Sequence, residues 1–315
     1  MKRIEELDFL KGMFILLVIV FHLVYIGDTY PYAKRLVYTF HIPAFFMISG
    51  YLMKVDKKSF AFLKSMVWIM IPYIVMEAGY VVMSSVLPVR ERVDVLSGTL
   101  LLDKIFVHPM GPYWYLHTLV VCGMAYFVVN RLKSYMEVYA MLLVLALVYA
   151  LLSYGCGLIA APSALYFMIG VVLSQSGISF LSFFRASWLS LVPFAWLVAY
   201  PDNLNRFSIA GLLITYLSVS LFLAVFKVLP VRIRTAGCYI GEHSLLLLLF
   251  SPVFTMLVKP LVGVLSFEPT GILFLFVALL IAVSGSFFIA WIMDLLNISR
   301  FFFGKRKILK PFIRQ

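Results

Sequence analysis

Apolar runs long enough to cross a lipid bilayer recur along almost the whole chain, and they restrict its fold more than any other feature. A membrane-spanning helix needs about 20 predominantly apolar residues, and runs of that kind occupy most of the 315 residues with only short gaps between them. The chain is 63% hydrophobic and 13% charged, whereas soluble domains carry about 25% charged residues. This pattern excludes a soluble globular core and predicts an all-α, polytopic integral membrane protein.

Ten of these runs are predicted to be transmembrane helices. They are Phe9–Gly27, Val37–Met53, Met66–Leu87, Tyr113–Val129, Val138–Tyr154, Gly157–Ser174, Ser187–Tyr200, Ser208–Phe226, Tyr239–Val258 and Gly271–Leu295. The seventh run is short, and only Gly155 and Cys156 separate the fifth from the sixth, so nine and eleven spans are the alternatives. Because no Gly/Ser- or Pro-rich linker divides the series, we expect residues 1–315 to form a single transmembrane domain.

The distribution of lysine and arginine predicts the orientation in the membrane. Cytoplasmic loops accumulate these residues, and with ten spans and the N-terminus inside, 19 of the 26 basic residues fall in inner segments. The seven outer ones are Lys34, Arg35, Arg90, Arg92, Lys104, Arg206 and Lys259. We therefore expect both ends in the cytoplasm, in the cell membrane. A net charge of +12 located at membrane edges indicates contact with membrane lipids and phosphate-bearing ligands rather than nucleic acid.

Ionisable residues on the first predicted helix share one face. Lys11 and His22 are eleven residues apart, which at 100° per residue is about 20° more than three turns, with a rise of about 16 Å. Asp8 lies three residues before Lys11, at the spacing of a local ion pair. Charged groups inside a span cost about 2.5–3.5 kcal/mol on insertion scales, so these residues are candidates for a functional site.

Further polar residues are expected at the depth of His22. His41 is predicted to lie early in the second helix, and Trp114, Tyr115 and His117 in the first turns of the fourth, all entering from the outer side. Glu77 lies about midway along the third helix, where a carboxylate can orient a histidine or favour the protonated, positively charged form of its imidazole. We expect these side chains to converge.

Ordinary structural explanations exist for the same residues. A single histidine inside a membrane is a hydrogen-bonded packing residue about as often as it is a catalytic one. Trp114 and Tyr115 are also typical of the aromatic belt at a membrane surface. His108 is interpreted as a solvated loop residue. The three cysteines show neither a CxxC pair nor a zinc spacing, so no metal site is predicted.

Two motifs in this sequence resemble the membrane acyltransferase-3 family, especially its branch of sugar O-acetyltransferases similar to fucose 4-O-acetylase. The first is Leu7–Gly12 followed by His22, which is similar to the family's basic residue, ten spacers and histidine; the second is Phe40–Leu52. Weaker matches are Trp114–Leu116, Tyr166 and Phe167 with Gly170, and Gly241–Ser244. This chain departs from the family in having Lys11 where arginine is common, which keeps the charge without the planar fork.

The resemblance implies transfer of an acyl group, usually acetyl, from cytoplasmic acyl-CoA to a hydroxyl of a cell-envelope carbohydrate. Acyl-CoA is then a co-substrate, and no permanently bound cofactor is expected. His22 would act as general base or transient acyl carrier, with Glu77 as its catalytic partner. Lys11, Arg232 and Arg234 would bind the phosphates of CoA. Substrate-orienting roles fall to the remaining candidates, namely Asp8, His41, Trp114, Tyr115 and His117.

Two other functional classes are compatible with the same residues. A proton-coupled transporter or flippase of a lipid-linked glycan would use His22, His41 and Glu77 as a proton relay. A haem-binding membrane protein would use two histidines as axial ligands. Dependence on acyl-CoA distinguishes the acyltransferase from the transporter, and the absorption spectrum of the purified protein tests for haem.

Overall fold

The computed structural model describes residues 3–86 and 93–310, and all regular secondary structure within them is helical. Leu87, the predicted end of the third helix, lies outside these residues, as do Arg90 and Arg92. In chain order the helices are α1 (Glu5–His22), α2 (Val24–Thr29), α3 (Pro31–Leu52), α4 (Ser59–Val86), α5 (Gly98–Phe106), α6 (Trp114–Asn130), α7 (Val138–Ala150), α8 (Ala161–Gln175), α9 (Phe180–Phe183), α10 (Leu191–Val198), α11 (Ile209–Val228), α12 (Val231–Glu242), α13 (Ser244–Leu257), α14 (Leu261–Val264), α15 (Ile272–Leu295) and α16 (Ser299–Phe302).

Five helices of the described chain are long and apolar enough to cross a membrane. They are α4, α6 with its extension to Ser134, α7 with the π turn that ends at Gly155, α11 and α15. A sixth candidate is formed by α12 and α13 together, if this strongly bent pair is one broken span. The helical membrane class is therefore confirmed. The other predicted spans correspond to helices that are shorter or that carry more charge, such as α10 with 8 residues.

The described residues form two compact units. Unit 1 comprises the chain up to Phe45, Ile178–Asn297 and the segment from Lys307 onward, and unit 2 comprises Phe46–Gly177 and Ile298–Arg306. The boundary falls within α3, after Phe45.

Glycines bring α1 and α12 into backbone contact in unit 1. A Cβ atom at Gly12 would overlap the carbonyl oxygen of Gly237, and one at Gly241 would overlap the carbonyl oxygen of Asp8. Small residues allow two helices to approach this closely, so that van der Waals packing holds them together where lipid supplies no hydrophobic driving force. The contact fixes the residues around Asp8 beside the C-terminal end of α12.

Two predicted helices of unit 1 are broken. The predicted Phe9–Gly27 helix stops at His22, because Leu23 adopts an extended conformation and packs, 1% exposed, in a cluster with Val258 and Phe274. The predicted Tyr239–Val258 helix is also wrong as a continuous element. His243 leaves helical geometry, and α12 and α13 meet at an angle of 81°.

The second predicted helix is longer at its start than expected. The α3 helix begins at Pro31, six residues before Val37, so His41 is its eleventh residue rather than an early one. Proline is well suited to the first turn of a helix. The apolar run therefore predicted the hydrophobic part of α3 but not the six residues at its start.

One end of unit 2 gathers basic connections. Asn130 Nδ2 lies 3.3 Å from Asp56 Oδ1, Arg131 donates to the carbonyl of Lys57 at 3.0 Å, and Lys133 Nζ lies 3.0 Å from Gln175 Oε1. These bonds join the α3–α4 connection, the α6–α7 connection and the end of α8. The basic residues of the two connections are Lys54, Lys57, Lys58, Arg131 and Lys133. The α5 helix and the α7–α8 connection lie at the other end of these helices.

Candidate functional site

His22 is held in one tautomer at the end of α1. Its Nδ1 lies 2.7 Å from the backbone carbonyl oxygen of Val18, and since a carbonyl only accepts, Nδ1 must carry the hydrogen. The neutral ring then has an unprotonated Nε2. The side chain is half-buried and precedes the helix break at Leu23. An imidazole fixed in this way has the geometry of a general base or nucleophile.

His41 lies near His22 in unit 1. The two imidazoles are close enough for their charges to interact, and Arg206 also acts on His41. His41 is fully buried, and its Nδ1 is hydrogen-bonded to the carbonyl oxygen of Val37. Its Nε2 has no hydrogen-bond partner among residues 3–86 and 93–310. His41 is thus placed to influence the charge of His22.

A network of charged side chains surrounds Lys11. Its Nζ lies 2.8 Å from Asp8 Oδ1, and Arg3 pairs with both Asp8 and Glu242. Burial lowers the pKa of Arg3, but the hydrogen bond and negative charge of Asp8 outweigh it, so the pKa is raised overall. Lys310 Nζ lies 3.3 Å from Glu242 Oε1. Among residues 3–86 and 93–310, these contacts set three cations against two carboxylates.

The two arginines proposed for CoA binding lie at the start of α12. The guanidinium carbon of Arg234 lies 5.4 Å from the centroid of the Phe226 ring, and that ring packs at 5.2 Å against Phe9. Arg232 is exposed. Since Phe9 is two residues from Lys11, Arg234 and Lys11 belong to the same end of unit 1. The structure therefore brings cations from α1 and α12 to one end.

Glu77 and His117 hold the connection between α5 and α6 in unit 2. Glu77 is fully buried, and its Oε1 accepts a hydrogen bond from the backbone amide of Met110. His117 Nε2 donates to the carbonyl of Phe106 at 2.9 Å, and Tyr73 OH donates to that of Ile105 at 2.6 Å. These three side chains fix the path of the backbone between α5 and α6. The catalytic role proposed for Glu77 stays a prediction.

Trp114 and Tyr115 have different surroundings at the start of α6. Tyr115 OH lies 2.7 Å from Ser49 Oγ, and its ring lies 4.7 Å from that of Phe46. Trp114 contacts Phe46 more distantly, at 6.1 Å, and lines a cavity of about 660 Å³. Tyr115 therefore serves packing within unit 2, while Trp114 faces open space.

The cavity beside Trp114 contains residues that the sequence did not mark as a site. We call it the unit 2 cavity; its polar wall includes Asp94, Lys104, His108 and Thr118. Next to the lining residue Met110, Gly111 has a φ of +57°, which favours glycine, and its missing Cβ leaves room for the ring of Tyr80. His108, interpreted above as a solvated loop residue, lies on this wall. Loop residues without a motif gave no sequence signal for such a cavity.

Unit 1 contains a second cavity, of about 600 Å³, which begins at Leu23 and includes Asp28, Thr255 and Lys259. Within the described residues, no group of three His, Cys, Asp or Glu side chains is arranged to hold a metal ion. The structure brings together His22 with His41, and Asp8 with Lys11, in unit 1. It places Glu77, Trp114, Tyr115 and His117 in unit 2.

Comparison with known protein families gives a match over most of the chain. Residues 4–291 match the model of the acyltransferase-3 family, described as an acyltransferase domain. The match includes every site residue predicted from the sequence, from Asp8 to Arg234. No curated protein and no solved structure matches the chain.

Proposed function

The chain belongs to the acyltransferase-3 family, and we propose that it transfers an acetyl group from cytoplasmic acyl-CoA to a hydroxyl of a cell-envelope or exported carbohydrate. Family membership supports a membrane acyltransferase activity. The observation that carries the residue-level proposal is the hydrogen bond from His22 Nδ1 to the Val18 carbonyl, which leaves Nε2 as a proton acceptor. The sugar O-acetyltransferase branch, the donor and the acceptor are parts of the proposal.

In direct transfer, Nε2 of His22 takes the proton of the acceptor hydroxyl while the oxygen attacks the thioester carbonyl. The new C–O bond forms an ester, the C–S bond breaks, and the CoA thiolate leaves and recovers a proton to give the free thiol. In a two-step transfer, Nε2 itself attacks the thioester, CoA leaves, and the acyl-imidazole passes its acyl group to the hydroxyl. Both routes need an unprotonated Nε2. Glu77 and His41 are proposed to orient the imidazole of His22 or to influence its charge.

The cations at one end of unit 1 support the proposal for the donor. Lys11 and Arg234 lie at that end, and Arg232 precedes Arg234 on α12. Arginine and lysine bind phosphate by charge-assisted hydrogen bonds. The rise from Lys11 to His22 along the unbroken α1 helix is about 16 Å, which gives the extended arm of CoA a path from the phosphates to the imidazole. No permanently bound cofactor takes part.

The topology needed for this reaction has ten spans with both ends in the cytoplasm, in the cell membrane. It places Lys11 at the inner edge, where acyl-CoA is available, and His22 toward the outer side, where the acceptor hydroxyl arrives. The excess of basic residues in the inner segments supports this orientation.

The test follows label from acetyl-CoA into carbohydrate. Membranes containing the protein are incubated with radiolabelled acetyl-CoA, and label is measured in envelope glycan extracted from the same cells. We expect His22→Ala to abolish labelling. Val24→Ala, an exposed residue beside the same helix break, is the matched control and should label normally.

Labelling that persists in the His22 variant would overturn the role of His22. Absence of labelling in the wild type, with the cognate glycan present, would favour the glycan transporter, because a transporter needs no thioester.

A further inference from the structure

We propose that the unit 2 cavity binds the carbohydrate acceptor, with Trp114 as the stacking surface and Asp94, Lys104 and His108 as hydrogen-bonding groups. The proposal rests on the acyl transfer proposed above and names the acceptor-binding residues. It assigns a binding role to two loop residues, Asp94 and His108, and to Lys104 on α5, all outside the motifs described above.

The size of the cavity suits a sugar. Its volume is about 660 Å³, within the range of about 300–1,000 Å³ that small-molecule sites occupy. Its walls come from the segment before α5, from α5 itself, from the α5–α6 connection, from the start of α6 and from the α7–α8 connection. Five different parts of the chain thus line one space.

The chemistry of the wall fits a neutral polyhydroxylated ring. Asp94 accepts hydrogen bonds, the ammonium of Lys104 donates them, and the hydroxyl of Thr118 does both. A sugar hydroxyl is likewise both donor and acceptor, so it matches a wall that carries both kinds of group. Asp94 and Lys104 carry opposite charges, so the wall does not select for a charged ligand of either sign. The indole of Trp114 offers an apolar face with a polar edge, against which the C–H face of a sugar ring can stack.

Hydrogen bonds from buried side chains anchor the backbone on both sides of His108. Glu77 and His117 anchor Met110 and Phe106, at the two sides of the segment that carries His108. His108 Nδ1 lies 2.8 Å from Asp103 Oδ1, which fixes the imidazole and leaves its Nε2 on the opposite side of the ring. Prepositioned groups bind with a smaller loss of conformational entropy.

The cavity also lies at the appropriate end of unit 2. The basic connections with Lys57 and Arg131 lie at the other end of the same helices, and basic loops mark the cytoplasmic side. The cavity is therefore on the side from which an envelope carbohydrate would arrive.

The unit 1 cavity is less suited to a sugar. The hydroxyls of Thr29 and Thr255 already donate to the carbonyls of Tyr25 and Pro252. Its aromatic residue Tyr25 is packed edge-on against Phe274, with ring centroids 5.5 Å apart. Asp28, on its wall, supplies a matched control for Asp94.

The experiment measures sugar binding separately from acyl transfer. The full-length protein in nanodiscs is titrated with a panel of soluble mono- and disaccharides of hexoses, 6-deoxyhexoses and N-acetylhexosamines, and binding is followed by saturation-transfer difference NMR. We expect at least one sugar to bind. Trp114→Leu and Asp94→Asn should each weaken its binding about tenfold, as expected for loss of about 1.4 kcal/mol, whereas Trp196→Leu and Asp28→Asn should not.

Binding that is unchanged in both cavity variants would overturn the proposal, and so would failure of every sugar to bind the wild type. Asp94 is exposed, so its variant tests binding even if Trp114→Leu does not fold. His22→Ala should bind the sugar normally and fail to acetylate it. Binding that depends on Trp114, without transfer from acetyl-CoA by the wild type, would support the cavity and refute the proposed reaction.

Discussion

Nζ of Lys11 lies 2.8 Å from Oδ1 of Asp8, one turn earlier on α1. Asp8 also pairs with Arg3, so the carboxylate is shared between two cations. The side chain of Lys11 is only 23% exposed, and sharing Asp8 leaves part of its charge available to a phosphate. The ion pair thus orients the lysine without consuming its charge.

This arrangement predicts a donor-specific defect for Lys11→Ala. Loss of a charge-assisted contact worth about 1.4 kcal/mol should raise KM for acyl-CoA about tenfold, with a smaller change in kcat. Lys11→Arg should stay near the wild-type value because it keeps the charge. Steady-state kinetics at varied acetyl-CoA concentration measure the effect. Lys227→Ala, which removes an exposed cation at the end of α11, is the control, and an equal rise in KM there would indicate a nonspecific charge effect.

The glycine contact between α1 and α12 predicts a stability defect. In Gly241→Ala the new Cβ would overlap the Asp8 carbonyl, and forcing these backbones apart should cost about 1–3 kcal/mol. We expect the unfolding temperature in detergent to fall by several degrees. Gly79→Ala, on α4 with no atom near the new Cβ, should be neutral or slightly stabilising. Equal unfolding temperatures for Gly241→Ala and Gly79→Ala would contradict a stabilising role for this contact.

Glu77 is predicted to hold the backbone between α5 and α6. Removing its carboxylate in Glu77→Ala leaves the buried amide of Met110 unsatisfied, at a cost of about 1–3 kcal/mol. Glu77→Gln keeps an acceptor oxygen at the same place. Hydrogen–deuterium exchange of residues 107–113 should therefore rise strongly in the alanine variant and little in the glutamine variant. Equal protection in wild type and Glu77→Ala would contradict this role.

The native cysteines test the proposed topology. Cys156 is exposed beside the α7–α8 connection, whereas Cys122 and Cys238 are buried. With the N-terminus inside, Cys156 faces outward, and a membrane-impermeant maleimide added to intact cells should label it. Cys156→Ser should remove the label. Labelling that appears only after the cells are opened would place this connection inside and refute the proposed orientation.

Residue spacing in the sequence correctly predicted the relationships between residues that lie on the same helix. Lys11 and His22 were expected on one face, and they lie on the continuous α1 helix. Asp8 was expected to pair with Lys11 and does so. These relationships follow from 3.6 residues per turn and need no information from distant parts of the chain.

Non-local packing decided what the sequence did not predict. The break after His22 depends on Leu23 packing with Val258 and Phe274, more than two hundred residues away. The hydrogen-bond partner of Glu77 is the backbone amide of Met110. Because every residue except proline has a backbone N–H, the residue types in the sequence do not indicate which one Glu77 binds. The bend at His243 likewise interrupts a segment that was predicted to be one helix.

All residues that line the unit 2 cavity fall between Val93 and Ala160. The residues proposed to hold the donor, Lys11, Arg232 and Arg234, lie outside that stretch. Under the proposed function, acceptor choice can therefore change through substitutions in this one stretch of the chain, without any change in the residues proposed to bind the donor. Chimaeras that exchange this stretch between family members should carry acceptor preference with them.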